Sequence, residues 1–231
     1  MSTSNFSLTH LVREPRERTG GRPPLLLLLH GFGSNEADLL GLAPALDGRL
    51  FVVSARAPVV LGPGSYAWFR LDMTPEGMVA DLAQARRSLE MLPGFIDELA
   101  EAYGTDAGAA YVAGFSQGAM MSLALMLTRP ERVAGVAAMS GRLPAPLPAG
   151  GPDLAALEGK PVIVTHGLHD QMLPVEGARD ARRYLEGLPV RLTYREYPMA
   201  HEVSMQSLRD VAAWLKAALD ARAEGDAAGR E

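Results

Sequence analysis

The sequence predicts an α/β fold: a mainly parallel central sheet with helices on both faces and no separate cap domain. Three observations carry that prediction. Short apolar runs at 25–29, 51–54, 110–113, 133–139 and 162–165 alternate with stretches of helical period. The runs are apolar at nearly every position, as in strands buried on both faces. The pentapeptide Gly114-Phe115-Ser116-Gln117-Gly118 then sits between one such run and a long apolar segment, which is a strand–turn–helix context. Finally, 231 residues with 48% hydrophobic and 21% charged suit one sizeable domain with a full core.

Taken in order, residues 6–12 are expected to form an N-terminal strand and 13–24 a charged turn. Together 1–24 belong to the same domain as 25–220, the catalytic body. Leu25 to Leu29 is a buried strand of leucine alone. Residues 36–46 read as a short helix capped by Ser34 or Asn35. Residues 51–54 are a strand, and 55–76, with Pro58, Gly62, Pro63, Gly64 and Pro75, read as irregular. Across 80–103 the period of Leu82, Leu89, Leu92, Ile96, Leu99 and Tyr103 is helical, with a kink or break expected at Pro93-Gly94. Residues 110–113 lead into the pentapeptide. The helix after it is apolar nearly all round, so it is buried on most sides. A strand at 133–139 is followed by a Pro- and Gly-rich loop at 140–159. Strand 162–165, helix 175–188 and strand 191–197 come next. Leu208, Val211, Ala212, Leu215 and Leu219 form the stripe of a last helix, and 221–231 is expected to fray.

The pentapeptide is where chemistry is expected. A serine on a sharp strand-to-helix turn has its hydroxyl pushed out of the sheet, and glycines two residues away on either side remove clashing Cβ atoms. On the fold that carries this turn, the chain order is Ser, then Asp or Glu, then His. Of the five histidines, His10 and His30 precede Ser116. His166 and His169 leave no acid between Ser116 and themselves on a strand-end loop. His201 remains, between a strand and the last helix. The acid is Asp170, just past the turn that follows strand 162–165. A serine hydroxyl is a poor nucleophile until a base takes its proton. His201 is that base, and Asp170 orients it. Two backbone N–H groups should receive the oxyanion: that of Gln117, and that of Phe32 in the Gly-rich turn after the first buried strand.

Composition excludes several alternatives. Net charge is −5, spread along the chain, so no basic surface for nucleic acid is expected. Without cysteine there are neither disulfides nor thiolate metal sites, which fits a cytoplasmic location. The first 20 residues lack the apolar core of a signal peptide. The leucine run is too short for a transmembrane segment.

With these motifs the chain resembles the phospholipase/carboxylesterase family of α/β-hydrolases, which includes bacterial carboxylesterases and acyl-protein thioesterases. The resemblance spans residues 25–219. It rests on Leu29-His30-Gly31-Phe32-Gly33, Arg56-Ala57-Pro58, Trp68-Phe69, the Gly114–Gly118 turn, His166-Gly167-Leu168-His169-Asp170 and Met199-Ala200-His201-Glu202-Val203. It implies Ser116, Asp170 and His201 as triad, Phe32 and Gln117 as oxyanion donors, and hydrolysis of esters or thioesters without metal or organic cofactor. Several members are homodimers, so a second copy is a partner to consider beside the small-molecule substrate. The chain departs from the family at Ala119, where glycine is usual, and at Leu173-Pro174, where Val-Pro is usual.

The expected activity is a carboxylesterase-type serine hydrolase acting on short to medium acyl chains. The alternative is an acyl thioesterase acting on acyl-protein or acyl-CoA. A non-catalytic binding module is disfavoured because all three triad residues are present. The substrate groove is expected to be open, with Phe32, Trp68, Phe69, Leu71, Met73, Leu143 and Met172 along it.

Overall fold

The computed structural model describes residues 6–17, 20–74, 77–144 and 151–228. The chain begins with β1 (His10–Arg13), β2 (Pro24–Leu29), a 3-10 helix (Leu39–Ala45) and β3 (Phe51–Ala55). Two hairpins follow, β4 (Val59–Gly62) with β5 (Ser65–Ala67), and β6 (Leu71–Thr74) with β7 (Gly77–Ala80). Next come α1 (Leu82–Tyr103), β8 (Asp106–Phe115), α2 (Gln117–Thr128), a 3-10 turn (Pro130–Arg132) and β9 (Gly135–Met139). The chain continues through α3 (Leu154–Leu157), β10 (Pro161–Gly167), α4 (Val175–Glu186), β11 (Arg191–Tyr197) and α5 (Met205–Ala228).

Seven strands form one sheet in the order β1-β3-β2-β8-β9-β10-β11. Only β1 runs antiparallel to its neighbour. This is the α/β-hydrolase arrangement, and among the described residues it carries no cap domain. Side chains alternate between two cores. Leu25, Leu27, Leu29, Val53, Val112, Val136 and Val164 join α1, α2 and α4 on one face. Leu26, Leu28, Val52, Ala113, Ala137 and Ile163 join the 3-10 helix and α5 on the other. Both faces are covered, so strand residues are apolar without alternation. Register aligns the strand ends: Leu29 lies opposite Gly114, Phe115 opposite Met139, Thr165 opposite Met139, and Gly167 opposite Tyr197. The loops after these strands therefore gather on one edge.

Several sequence expectations change. The stretch 55–76 is not irregular but enters two hairpins, the first closed around Gly64 at φ +70°. Pro63 and Gly64 form the turn between β4 and β5, Gly62 ends β4, and Pro75 lies outside the described residues; the short strands lack long periodic runs. The expected helix at 36–46 is a 3-10 helix at Leu39–Ala45 with Pro44 inside it. Asn35 and Ser34 build the preceding turn, where Asn35 Oδ1 accepts from the Ala37 N–H and Ser34 Oγ donates to Asp38. Helix α1 passes unbroken through Pro93. Its buried face, with Leu92, Phe95, Ile96 and Leu99, spans the proline, and that packing outweighs one lost hydrogen bond. The helix is bounded by Asp81, whose side chain accepts from the Gln84 N–H, and by Gly104 in the left-handed region. Strand β1 begins at His10 rather than at residue 6. Helix α5 runs on to Ala228, so 221–228 continue the helix, and 229–231 lie outside the described residues. Arg222 there reaches Asp106 and the Gly108 carbonyl.

An interior strand should contribute more to stability than the edge strand. Leu27→Ala removes a fully buried side chain between β3 and β8 and should cost about 2–5 kcal/mol. Leu11→Ala on the edge strand, 41% exposed, should cost under about 0.5 kcal/mol. Urea unfolding of the two variants checks the contrast.

Candidate active site

Ser116 follows the last residue of β8 and precedes the first of α2. Its backbone is at φ 53°, ψ −113°, a conformation L-residues avoid. Its N–H donates to the Met139 carbonyl at 2.9 Å, which anchors the turn to the next strand. A Cβ on Gly114 would lie 2.2 Å from the Gly118 carbonyl. One on Gly118 would lie 1.9 Å from the Leu29 carbonyl. Any side chain at either position would force the turn open.

The other two expected residues meet Ser116 at the sheet edge. His201 Nε2 lies 2.9 Å from Ser116 Oγ, and His201 Nδ1 lies 2.6 Å from Asp170 Oδ2. A carboxylate only accepts, so Nδ1 carries the hydrogen and Nε2 presents its lone pair to the serine hydroxyl. Asp170 is buried, and its Oδ1 accepts from the N–H groups of Met172 and Leu173 at 2.9 and 2.8 Å. The Phe115 ring lies 4.9 Å from the His201 ring and flanks it.

Gly167 brings the acid and histidine loops together. A Cβ there would lie 2.3 Å from the carbonyls of both Met199 and Ala200. The Leu168 and His169 N–H groups donate to Tyr197 and Met199 across the same gap. His166, set aside as a base in the sequence, is fully buried beside the acid. Its Nε2 donates to the Leu173 carbonyl at 2.8 Å and lies 3.3 Å from Asp170 Oδ2.

The turn after β2 holds the second expected donor. The Gly33 N–H donates to Tyr66, the Tyr66 N–H donates to Ser34, and Asn35 donates to Gly64. The Phe32 N–H takes no part in this pattern. Arg56 pairs with Glu36 and stacks 4.5 Å over Tyr66, which ties the turn to the first hairpin. Hydrogen bonding to Arg56 holds the Glu36 carboxyl below its ordinary value. The Gln117 N–H is first in α2 and has no intrahelical acceptor. Gly31 packs against the serine turn, its Cβ position being 3.4 Å from Ser116 Cβ.

The groove expectation needs correction. Trp68 is 0% exposed and Phe69 is buried, so neither lines an open groove. Both are held beneath it by the Gln117 side chain, whose Oε1 accepts from the Trp68 N–H and whose Nε2 donates to the Phe69 carbonyl. Leu71 is half-buried against the core, and Leu143 is half-buried. The side chain of Met73 lies outside the described residues. Phe32 and Met172 are 43% and 67% exposed on the loops after β2 and β10, as is Leu168 at 44%, which sequence reasoning missed; these three are called the rim below. Also missed were His30, His166, Gly167 and the Gln117 side chain. All four stand in the quoted motifs, but nothing in the spacing assigned them partners.

His30 is buried at the root of the donor turn. Its Nδ1 donates to the Gly31 carbonyl at 2.7 Å and its Nε2 accepts from the Ala57 N–H at 3.1 Å. Burial pushes its pKa below the ordinary 6.5. Elsewhere, a cleft of about 560 Å³ lined by Arg16, Asp47, Arg49, Lys216 and Asp220 shares no residue with this cluster. Arg49 there is paired with Asp47 and Asp220, and Lys216 with Asp220. Among the described residues no group of three or more His, Asp or Glu is placed to hold a metal ion, and no helix is long and apolar enough to cross a membrane.

A seven-stranded, mainly parallel sheet with a serine, a histidine and an acid on loops at one edge defines an α/β-hydrolase. The chain belongs to the phospholipase/carboxylesterase family, whose model matches residues 12–219. It is similar to the crystal structure of the Bacillus cereus carboxylesterase, with a TM-score of 0.79 and 28% identity over 93% of this chain and 96% of that one. It is 29% identical over 216 residues to acyl-protein thioesterase 1 of Kluyveromyces lactis, covering 84% of this chain and 92% of that protein. It is also 27% identical over 216 residues to a rice protein (Oryza sativa subsp. japonica) named "Probable inactive carboxylesterase", covering 88% of each. Membership in the family supports hydrolysis.

Two expected outcomes follow from this geometry. Gly167→Ala should separate the acid and histidine loops, costing about 1–3 kcal/mol of stability and most of any activity. Thermal unfolding and ester hydrolysis measured on the same preparation check it. The second concerns His30, which in the unfolded chain takes up a proton near pH 6.5 but resists it when folded. Its contribution is complete above that pH and is lost as pH falls toward the lowered folded value. Urea unfolding between about pH 5 and 8 should show this decline, and it should be shallower in His30→Gln.

Proposed function

We propose that this protein is a serine hydrolase cleaving carboxylic esters of short to medium acyl chains through an acyl-enzyme on Ser116. The observation that carries the reading is the chain of contacts from Ser116 Oγ to His201 to Asp170. In this reading Ser116 Oγ attacks the ester carbonyl while His201 Nε2 takes its proton. The oxyanion forms between the N–H groups of Phe32 and Gln117, the latter at the positive end of α2. His201 returns the proton to the leaving alcohol. Water then repeats the cycle on the acyl-enzyme, with His201 again as base.

The rim supports a preference for acyl chains. Phe32, Leu168 and Met172 are exposed apolar side chains on the loops that carry the donor and the acid. Each methylene they bury contributes about 0.8 kcal/mol at most. Rate should rise with chain length and stop where the rim ends. The likeness to an acyl-protein thioesterase favours a second reading, thioester hydrolysis by the same residues. A non-catalytic role is disfavoured, because such a protein has no need of a serine held at positive φ against a histidine.

Ser116→Ala should leave a folded protein whose hydrolysis falls by roughly 10⁴-fold or more. It should also abolish labelling by a fluorophosphonate. A folded variant retaining more than about a tenth of wild-type kcat would remove Ser116 as nucleophile. Matched ester and thioester substrates of one acyl group then decide between the two readings.

A further inference from the structure

We propose that Trp68 is a positioning residue that sets the separation of the two oxyanion donors by hydrogen-bonding both elements that carry them. The inference rests on the reading of Ser116 as nucleophile. Strands β2 and β8 carry the donor turns, and their last paired residues are Leu29 and Gly114. Phe32 and Gln117 lie three residues beyond that row on their respective strands, where the ladder no longer holds the two backbones at a fixed distance.

Trp68 bridges this gap. Its indole Nε1 donates to the His30 carbonyl at 3.0 Å, two residues before Phe32. Its backbone N–H donates to Gln117 Oε1 at 2.8 Å, and Gln117 Nε2 donates to the neighbouring Phe69 carbonyl at 2.8 Å. The Trp68 carbonyl accepts from Ser88 Oγ at 2.5 Å, which fastens the bridge to α1. Trp68, His30 and Gln117 are all buried, so water cannot replace a lost bond. The His30 ring completes the span by donating to Gly31 and accepting from Ala57.

A bridge of this kind acts on the transition state. The N–H groups must face the oxyanion, whose charge is absent from the bound ester, so a small displacement lowers kcat more than it raises KM. Trp68→Phe keeps an aromatic ring and the backbone N–H but deletes the indole N–H together with the five-membered part of the bicycle, so unfolding is measured beside activity. In a folded variant kcat for a soluble p-nitrophenyl ester should fall roughly tenfold or more, with KM within about twofold. Affinity for an alkyl boronic acid, which mimics the tetrahedral state on the serine, should fall in step. The midpoint of the pH–rate profile should stay in place, because His201 and Asp170 are untouched.

A merely structural tryptophan would lower the unfolding temperature and leave kcat intact well below it. Folded Trp68→Phe with kcat and boronic acid affinity within about twofold of wild type overturns the proposal. If that variant does not fold, Gln117→Met decides. It keeps the backbone donor and side-chain length but loses both bonds to the Trp68-Phe69 segment. A selective fall in kcat supports the bridge, and unchanged kcat overturns it. Gln117→Glu, which keeps the acceptor for the Trp68 N–H, should recover part of the loss. Activity surviving in Ser116→Ala would remove the nucleophile reading itself, whereas full activity in Trp68→Phe removes only the positioning role.

Discussion

Ser116 occupies a backbone conformation that costs about 1–3 kcal/mol, and much of the surrounding structure serves to hold it there. The hold comes from contacts too close for side chains. Gly114 faces Gly118 across the turn, and Gly118 lies against the Leu29 carbonyl at the end of β2. The Ser116 N–H is taken by β9. Helix α2, buried on nearly every side, cannot rotate to relax the turn. The strain is thus opposed by the packing of a whole layer.

The parallel register then decides what can reach the serine. Six strands of common direction end in step, so the loops after β3, β2, β8, β9, β10 and β11 emerge on one edge. Each loop is tied to its neighbour beyond the sheet. The β10 loop bonds to the β11 loop through Leu168 and His169, and the β2 turn bonds to the first hairpin through Gly33 and Ser34. Ser140, after β9, also sits at positive φ, and its N–H is taken by Thr165. The site's rigidity comes from these cross-loop bonds, since loops without them would open locally.

Rigid and adaptable parts are separated by burial. The aromatic pair Trp68-Phe69 lies below the site, while Phe32, Leu168 and Met172 stand at its surface. Relatives named as an esterase and as a thioesterase share this fold family, and the reacting groups suit either substrate. On the proposed reading, selectivity falls to these exposed side chains, which can change without disturbing the strained turn.

The sequence by itself determined the strand–turn–helix around Ser116, the mainly parallel character of the sheet and the three residues of the Ser116–His201–Asp170 chain. Continuous apolar runs and one sharply defined turn are local signals, and chain order supplied the rest. Helix α1 and the hairpins at 59–80 were harder to read. Proline and glycine report local backbone preference, whereas packing against the core carried α1 through Pro93. Trp68 was misread for a related reason: an aromatic residue in a matched motif looks like a groove wall until its burial is known. Only the tertiary structure placed it under the site, gave His166 its place beside Asp170, and made Gly167 the contact between two loops. The roles of Trp68 and Gly167 depend on atoms that meet across 30 or more residues of chain, and that of His166 on how one loop folds back on itself, and hydrophobic periodicity carries no record of such meetings.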